Sequence, residues 1–179
     1  MIILVDMDGV LADFEGGFLA RWRERHPNSF FVPIAERRSF YIRDDYPTEL
    51  HASVAAIYHT EGFFEQLPPV AGALEGIRQM HGAGYDLRIC TAPITSYRYC
   101  VPEKYAWVEK NLGADFIKRI IITKDKTAIR GDILIDDRPD IEGAYIPQWR
   151  HLLFDAPYNR HVQGQPRIDW SSWRDLLGP

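Results

Sequence analysis

Apolar residues along this chain concentrate in short runs, each ending on a polar or acidic residue. Ile2-Ile3-Leu4-Val5 runs into Asp6, and Tyr85-Asp86-Leu87-Arg88-Ile89-Cys90 into Thr91. Arg119-Ile120-Ile121-Ile122 ends at Thr123, Ile133-Leu134-Ile135 at Asp136-Asp137, and His151-Leu152-Leu153-Phe154 at Asp155. Such runs are too short for buried helices. They predict five strands, the first of them, a continuous apolar run, buried on both faces. Helical spacing appears between them. Ala73 to Gly82 places Leu74, Ile77, Met80 and His81 on one face and stops at Gly82-Ala83-Gly84. Glu103 to Leu112 carries Tyr105, Trp107, Val108 and Leu112 and ends at Gly113. Ser171 or Ser172 would cap a last helix reaching Leu177, stopped by Gly178-Pro179. Strands alternating with helices predict an α/β fold, a Rossmann-like parallel sheet core with helices on both faces. Its strand ends would collect Asp6, Thr91, Thr123 and Asp136-Asp137 on one edge, where such sheets bind ligands.

The spacing of the runs is uneven. A crossover between parallel strands needs about a dozen residues, far fewer than lie between Val5 and Tyr85. The surplus predicts a small, mostly helical cap inserted after the first strand. It occupies residues 16–69 and is closed by Leu67-Pro68-Pro69-Val70, leaving 1–15 and 70–179 as the core domain. Composition narrows the function. A chain of 179 residues with 46% hydrophobic and 26% charged residues is an ordinary globular protein. Its net charge of −4 argues against a nucleic-acid polymer as partner. No apolar run is long enough to span a bilayer, so a membrane partner is not expected. Two cysteines, Cys90 and Cys100, predict free thiols in a reducing compartment. Five Trp, nine Tyr and nine Phe form an aromatic excess that needs a use.

The strongest chemical signal is Asp6-Met7-Asp8-Gly9-Val10 directly after a buried strand. Two acids at that spacing on a strand share a face, and Gly9 allows a sharp turn beside a ligand. A second acidic pair, Asp136-Asp137, ends another strand of the same sheet. One pair alone can also be read as a strand end with two solvated acids. Two pairs on one edge repel strongly without a cation between them, and magnesium is the hard cation that suits carboxylate oxygen. Thr91, in Cys90-Thr91-Ala92-Pro93, adds a hydroxyl and free N–H groups suited to phosphate oxygens. Lys124 and Lys126 both lie just before the last acidic strand, and spacing does not separate them.

Asp-x-Asp-Gly, Thr, Lys and Asp-Asp, in that order on successive elements, resemble the haloacid dehalogenase superfamily of phosphatases. Asp6 to Phe14, Tyr99-Cys100 with Glu103 to Lys110, Asp125-Lys126-Thr127 and Leu134 to Asp140 further resemble the 5′(3′)-deoxyribonucleotidases. The resemblance implies a magnesium-dependent phosphatase of (deoxy)ribonucleoside 5′- and 3′-monophosphates, deoxy-preferring, working through an aspartyl-phosphate. Asp6 would be the nucleophile and Asp8 the acid and base. Asp6, the Asp8 carbonyl and Asp137 would hold Mg2+, with Asp136 acting through water. Thr91, the Ala92 N–H, Lys126 and Lys104 would bind the phosphate. Phe14, Phe40, Tyr41, Ile42, Tyr58, Phe64, Ile94 and Arg138 would line the nucleoside site. Aromatic stacking there is worth about 1–3 kcal/mol per base, although a small cap needs aromatics for its own core as well. Ala92 replaces a serine of animal members, Thr95 a lysine, and Tyr41 and Tyr58 tryptophans. A cytoplasmic form and a homodimer are also implied, the former because the chain begins at the catalytic strand. Alternatives are a related phosphatase for another small metabolite, a receiver-like phospho-acceptor, and an inactive nucleotide-binding homologue.

Overall fold

A computed structural model describes residues 1–178. Among them, six parallel strands form one sheet in the order β3-β2-β1-β4-β5-β6. They are β1 (Ile2–Val5), β2 (Asp86–Thr91), β3 (Ile120–Ile122), β4 (Ile133–Asp136), β5 (Arg150–Phe154) and β6 (Arg167–Ile168). The five apolar runs are the first five strands. β6 is only two residues long, too short to carry any period, and has no counterpart among the predicted strands. Ile3 and Val5 join the main hydrophobic cluster while Leu4 joins Cys90, Leu134 and Trp149 in a second one. Alternate residues of the central strand are therefore buried on opposite faces, which is why its run is unbroken.

Strand order reverses at β1. β2 and β3 extend the sheet on one side, β4 to β6 on the other. The crevice at the β1–β4 boundary is the switch point where such sheets hold ligands, and Val5 there pairs with Ile135. Both acidic pairs are delivered to that boundary.

The helices are α1 (Phe14–Arg25), α2 (His51–Tyr58), α3 (Ala73–Gly82), α4 (Cys100–Leu112), α5 (Ala114–Ile117) and α6 (Trp173–Leu177). α4 starts at Cys100, three residues before the predicted Glu103, because Pro102 sits in the first turn where no N–H is needed. Ser172 precedes α6 but its side chain does not cap it. Instead Asp169 Oδ1 accepts from the backbone N–H and hydroxyl groups of both Ser171 and Ser172. Gly178 follows α6 as expected of its stop, while Pro179 lies outside the described residues.

The part of the chain between Asp13 and Val70 carries α1, α2 and three 3-10 turns: Ile34–Glu36, Ile42–Asp45 and Thr48–Leu50. Because Phe14 already belongs to α1, the boundary expected at Gly16 falls inside that helix's first turn. Its two ends meet: Asp13 N–H donates to Pro68 O, and Val70 N–H to Leu11 O, both at 2.8 Å. All five tryptophans are buried, so the Trp share of the aromatic excess is spent on packing.

Glu103, buried on α4, ties the returning chain to the core. Its carboxylate accepts from Gly62 N–H at 2.8 Å, Phe64 N–H at 3.0 Å and the Tyr97 hydroxyl at 2.5 Å. Glu103→Ala would strand these buried donors. The expected loss is about 3 kcal/mol of unfolding free energy, read by urea denaturation. A loss under about 0.5 kcal/mol would contradict this role.

Candidate active site

Asp6 ends β1, and its N–H donates to Ile135 O on β4 at 2.9 Å. The chain then turns back tightly: Leu11 and Ala12 N–H both donate to Met7 O at 2.8 Å. Gly9 takes φ +76° in this turn, and a Cβ on it would strike the Asp137 carboxylate. Only glycine lets this backbone pass so close to the second acidic pair.

Two lysines reach these acids from opposite sides. Lys126 opens the 3-10 turn Lys126–Ala128, and its Nζ lies 2.7 Å from Asp6 Oδ1 and 2.5 Å from Asp136 Oδ2. Burial alone would lower its pKa, but Asp6 and Asp136 outweigh that and raise it. Lys124 is exposed and donates to Pro93 O at 3.2 Å, so Lys126 is the lysine of the acidic cluster. Lys104, fully buried on α4, donates to Asp8 Oδ2 at 2.6 Å and to Thr91 Oγ1 at 2.8 Å.

The acids remain under strain from burial. Burial raises the Asp8 pKa against the pull of Lys104. Burial, then the neighbouring Asp136 and Asp6, raise that of Asp137. Carboxylate oxygens of Asp6, Asp136 and Asp137 come within 4.8 Å of one another. Asp136 is satisfied at both oxygens, by Lys126 and by the Arg138 N–H at 2.9 Å. Asp8 Oδ1 and Asp137 Oδ1 are buried with no hydrogen-bond partner, and Asp6 Oδ1 meets only the Lys126 charge. Three clustered carboxylates, two of which (Asp6 and Asp137) keep a buried oxygen without a hydrogen-bond partner, are what a hard divalent cation takes up. The donor set fits magnesium.

Above the cluster opens a cleft of about 590 Å³, within the range of small-molecule sites. Asp6, Asp8, Thr91, Ala92, Lys126, Asp136 and Asp137 form its floor. Phe14, Phe40, Tyr41, Ile42, Tyr58, Ile94 and Arg138 stand in its wall. Arg138 lies over the Phe40 ring at 5.5 Å and the Tyr41 ring at 5.9 Å, joining the core's edge to the inserted segment. Two expected residues, Phe64 of the nucleoside site and Lys104 of the phosphate site, do not line the cleft. Phe64 is fully buried behind Phe14, ring centroids 6.0 Å apart, so it supports the wall without forming it. Lys104 lies beneath the floor, spent on Asp8 and Thr91. Thr95 is exposed and is not among the cleft residues either.

The cleft also holds residues that sequence reasoning missed, including Glu15, His59, Ser96 and Tyr158. Glu15 answers Arg37, a buried guanidinium that also grips Asp45 at 2.7 Å, Ile42 O at 3.3 Å and Ser39 O at 3.0 Å. That network fixes the loop bearing Phe40, Tyr41 and Ile42 onto α1. In the sequence, Arg37 shows only as part of an Arg37-Arg38 pair, with nothing to mark it as buried.

Comparison with known proteins agrees with this geometry. Residues 1–177 match the family described as 5′ nucleotidase, deoxy (Pyrimidine), cytosolic type C protein. The human mitochondrial 5′(3′)-deoxyribonucleotidase is 47% identical, with 97% of this chain and 78% of that protein covered. The human cytosolic-type enzyme is 44% identical, with 98% and 92% covered. A Bordetella pertussis protein whose 5′(3′)-deoxyribonucleotidase name is provisional is 52% identical, with 99% and 95% covered. Among solved structures, a HAD family hydrolase from Deinococcus radiodurans with bound phosphate and sodium shares the fold. Its TM-score is 0.60 at 15% identity, with 98% of this chain and 94% of that one covered. Among the described residues no helix is long and apolar enough to cross a membrane. The chain belongs to the 5′(3′)-deoxyribonucleotidase family.

Proposed function

We propose that this chain hydrolyses deoxyribonucleoside 5′- and 3′-monophosphates, with Asp6 as nucleophile, Asp8 as acid and base, and Mg2+ as cofactor. The observation that carries this reading is the meeting of two strand-end acidic pairs beneath an aromatic-walled cleft. Family membership supports the reaction class.

Asp6 is aimed by its backbone bond to Ile135 and by Lys126, which leaves a carboxylate oxygen to attack phosphorus in line. As that bond forms, the ester P–O bond breaks, and Asp8 passes a proton to the leaving sugar oxygen. Asp8 then takes a proton from water as the water attacks the phosphoryl group and frees Asp6. Lys104 holds only Asp8 Oδ2, so Oδ1 is available for both transfers. We assign Lys104 as a positioning residue that acts through Asp8 and Thr91. The Thr91 hydroxyl, the Ala92 N–H and Lys126 receive the phosphoryl oxygens. Asp6, the Asp8 carbonyl and Asp137 would hold the metal. Asp137 is preferred over Asp136 because only Asp137 keeps an unpartnered oxygen, and Asp136 would act through water. Magnesium, when bound, would supply positive charge that neutralises charge developing on the phosphoryl group.

The segment from Phe14 to Leu67 serves in this reading as the substrate-selecting cap. Its Phe14, Phe40, Tyr41 and Tyr58 rings would take up the nucleoside, with Arg138 over the Phe40–Tyr41 pair. An apolar wall facing the sugar would strip water from a ribose 2′-hydroxyl and return no partner. Two free, buried cysteines support a reducing, cytoplasmic location.

A phosphate-release screen with Mg2+ over deoxy- and ribonucleoside 5′- and 3′-monophosphates tests the substrate class. Deoxynucleotides are expected to lead by roughly five- to 150-fold in kcat/KM, equivalent to about 1–3 kcal/mol. Equal efficiency for the ribo forms would sink the sugar argument. Asp6→Asn should keep its fold by circular dichroism and lose on the order of 10³-fold or more in turnover. Near-normal turnover would show that another group attacks.

A further inference from the structure

Tyr158 lies in the 3-10 turn Pro157–Asn159 that follows β5, and it is buried at 3% exposure. Its hydroxyl donates to Asp137 Oδ2. That leaves Oδ1 of the same carboxylate as the buried oxygen with no partner. The next residue, fully buried Asn159, donates from Nδ2 to the Asp137 main-chain oxygen at 2.7 Å and to Phe154 O at 2.8 Å. Its own Oδ1 accepts from Ala156 N–H at 3.1 Å and from Arg167 Nη2 at 2.5 Å. One short turn thus holds Asp137 by side chain and by backbone. The Tyr158 hydroxyl would also stand 2.9 Å from any Cβ placed on Gly9, so three elements converge at this point.

The ring of Tyr158 faces the other way, toward the cleft wall. It meets Phe40 edge-on at 6.1 Å, and the Arg37 guanidinium lies 5.9 Å from its centroid. A single side chain therefore joins the acidic cluster to this aromatic loop: the hydroxyl ends on the carboxylate, the ring on Phe40.

We propose that Tyr158 is a positioning residue that orients the Asp137 carboxylate toward a divalent cation held with Asp6, and that links this carboxylate to the Phe40 wall. The proposal rests on the metal-dependent phosphatase reading above. The physical argument is geometric. A carboxylate on a strand end can rotate about its Cα–Cβ and Cβ–Cγ bonds, and fixing one oxygen fixes the direction of the other. Partners that orient metal-binding carboxylates typically govern 10- to 100-fold in metal affinity or activity.

Tyr158→Phe keeps the ring, and with it the Phe40 and Arg37 contacts, and removes only the donor. Mg2+ alone is titrated into the full chain without nucleotide, by calorimetry and by its effect on the melting temperature. The Mg2+ needed for half-maximal phosphate release is measured alongside. The expected result is about tenfold weaker Mg2+ binding and an equal rise in the Mg2+ requirement. A packing role alone would lower the metal-free melting temperature and leave the Mg2+ titration unmoved, and that result overturns the proposal. The unmodified chain separates the two claims. If it binds no Mg2+, the metal-dependent reading fails together with this one. If it binds and Tyr158→Phe binds equally well, only the role of Tyr158 fails.

Discussion

Carboxylates crowded where water is scarce repel one another, and this repulsion is the constraint on which the molecule's arrangement turns. Asp6 and Asp8 leave β1, Asp136 and Asp137 leave β4, and these strands are hydrogen-bonded neighbours. Two buried lysines answer the repulsion from different sides, Lys126 for Asp6 and Asp136, Lys104 for Asp8. Two cations for four acids leave a deficit of positive charge. Burial, with neighbouring acids adding to it, raises the pKa values of Asp8 and Asp137, and carboxylate oxygens are left without partners. A divalent cation would supply the missing positive charge.

The rest of the fold supports that point. The sheet supplies a rigid floor, because strands buried on both faces hold their ends still. The inserted segment supplies the wall, and its attachments are polar and specific: Asp13 to Pro68, Glu103 to Gly62 and Phe64, and Trp107 Nε1 to Leu67 O at 2.7 Å. Arg37 performs inside this segment the task that Lys126 performs in the core. It gathers acids and carbonyls into one buried cluster and so fixes the Phe40–Ile42 loop. Tyr158 stands where these two systems meet.

The sheet was legible because a short, unbroken apolar run that stops on an acid suits a doubly buried strand and little else. The acids were legible for the same reason, since they sit where those runs stop. Legibility failed wherever the deciding contact joins residues far apart in the chain. Lys124 and Lys126 are equivalent by spacing; the resemblance pointed to Lys126, and the 3-10 turn after Asp125 carries it inward to the acids. Phe14 and Phe64 are both aromatic, yet one lines the cleft and the other backs it, a distinction set by packing depth. Lys104 resembled a phosphate ligand, but burial on α4 makes it a support for Asp8 and Thr91. Arg37, Glu103 and Tyr158 carried no local signal, because each acquires its role from partners brought near by folding. β6 was invisible because a two-residue strand has no pattern.

The central claim is that this crowded acidic corner carries a phosphoryl group on Asp6 during turnover. The direct measurement is rapid acid quench of the Mg2+-bearing protein with a radiolabelled deoxynucleoside monophosphate, followed by mapping of the labelled peptide. The account predicts transient label on the peptide containing Asp6-Met7-Asp8, assigned to Asp6 and absent from Asp6→Asn. Turnover with no protein-bound label at any quench time, or label on a different residue, would contradict it.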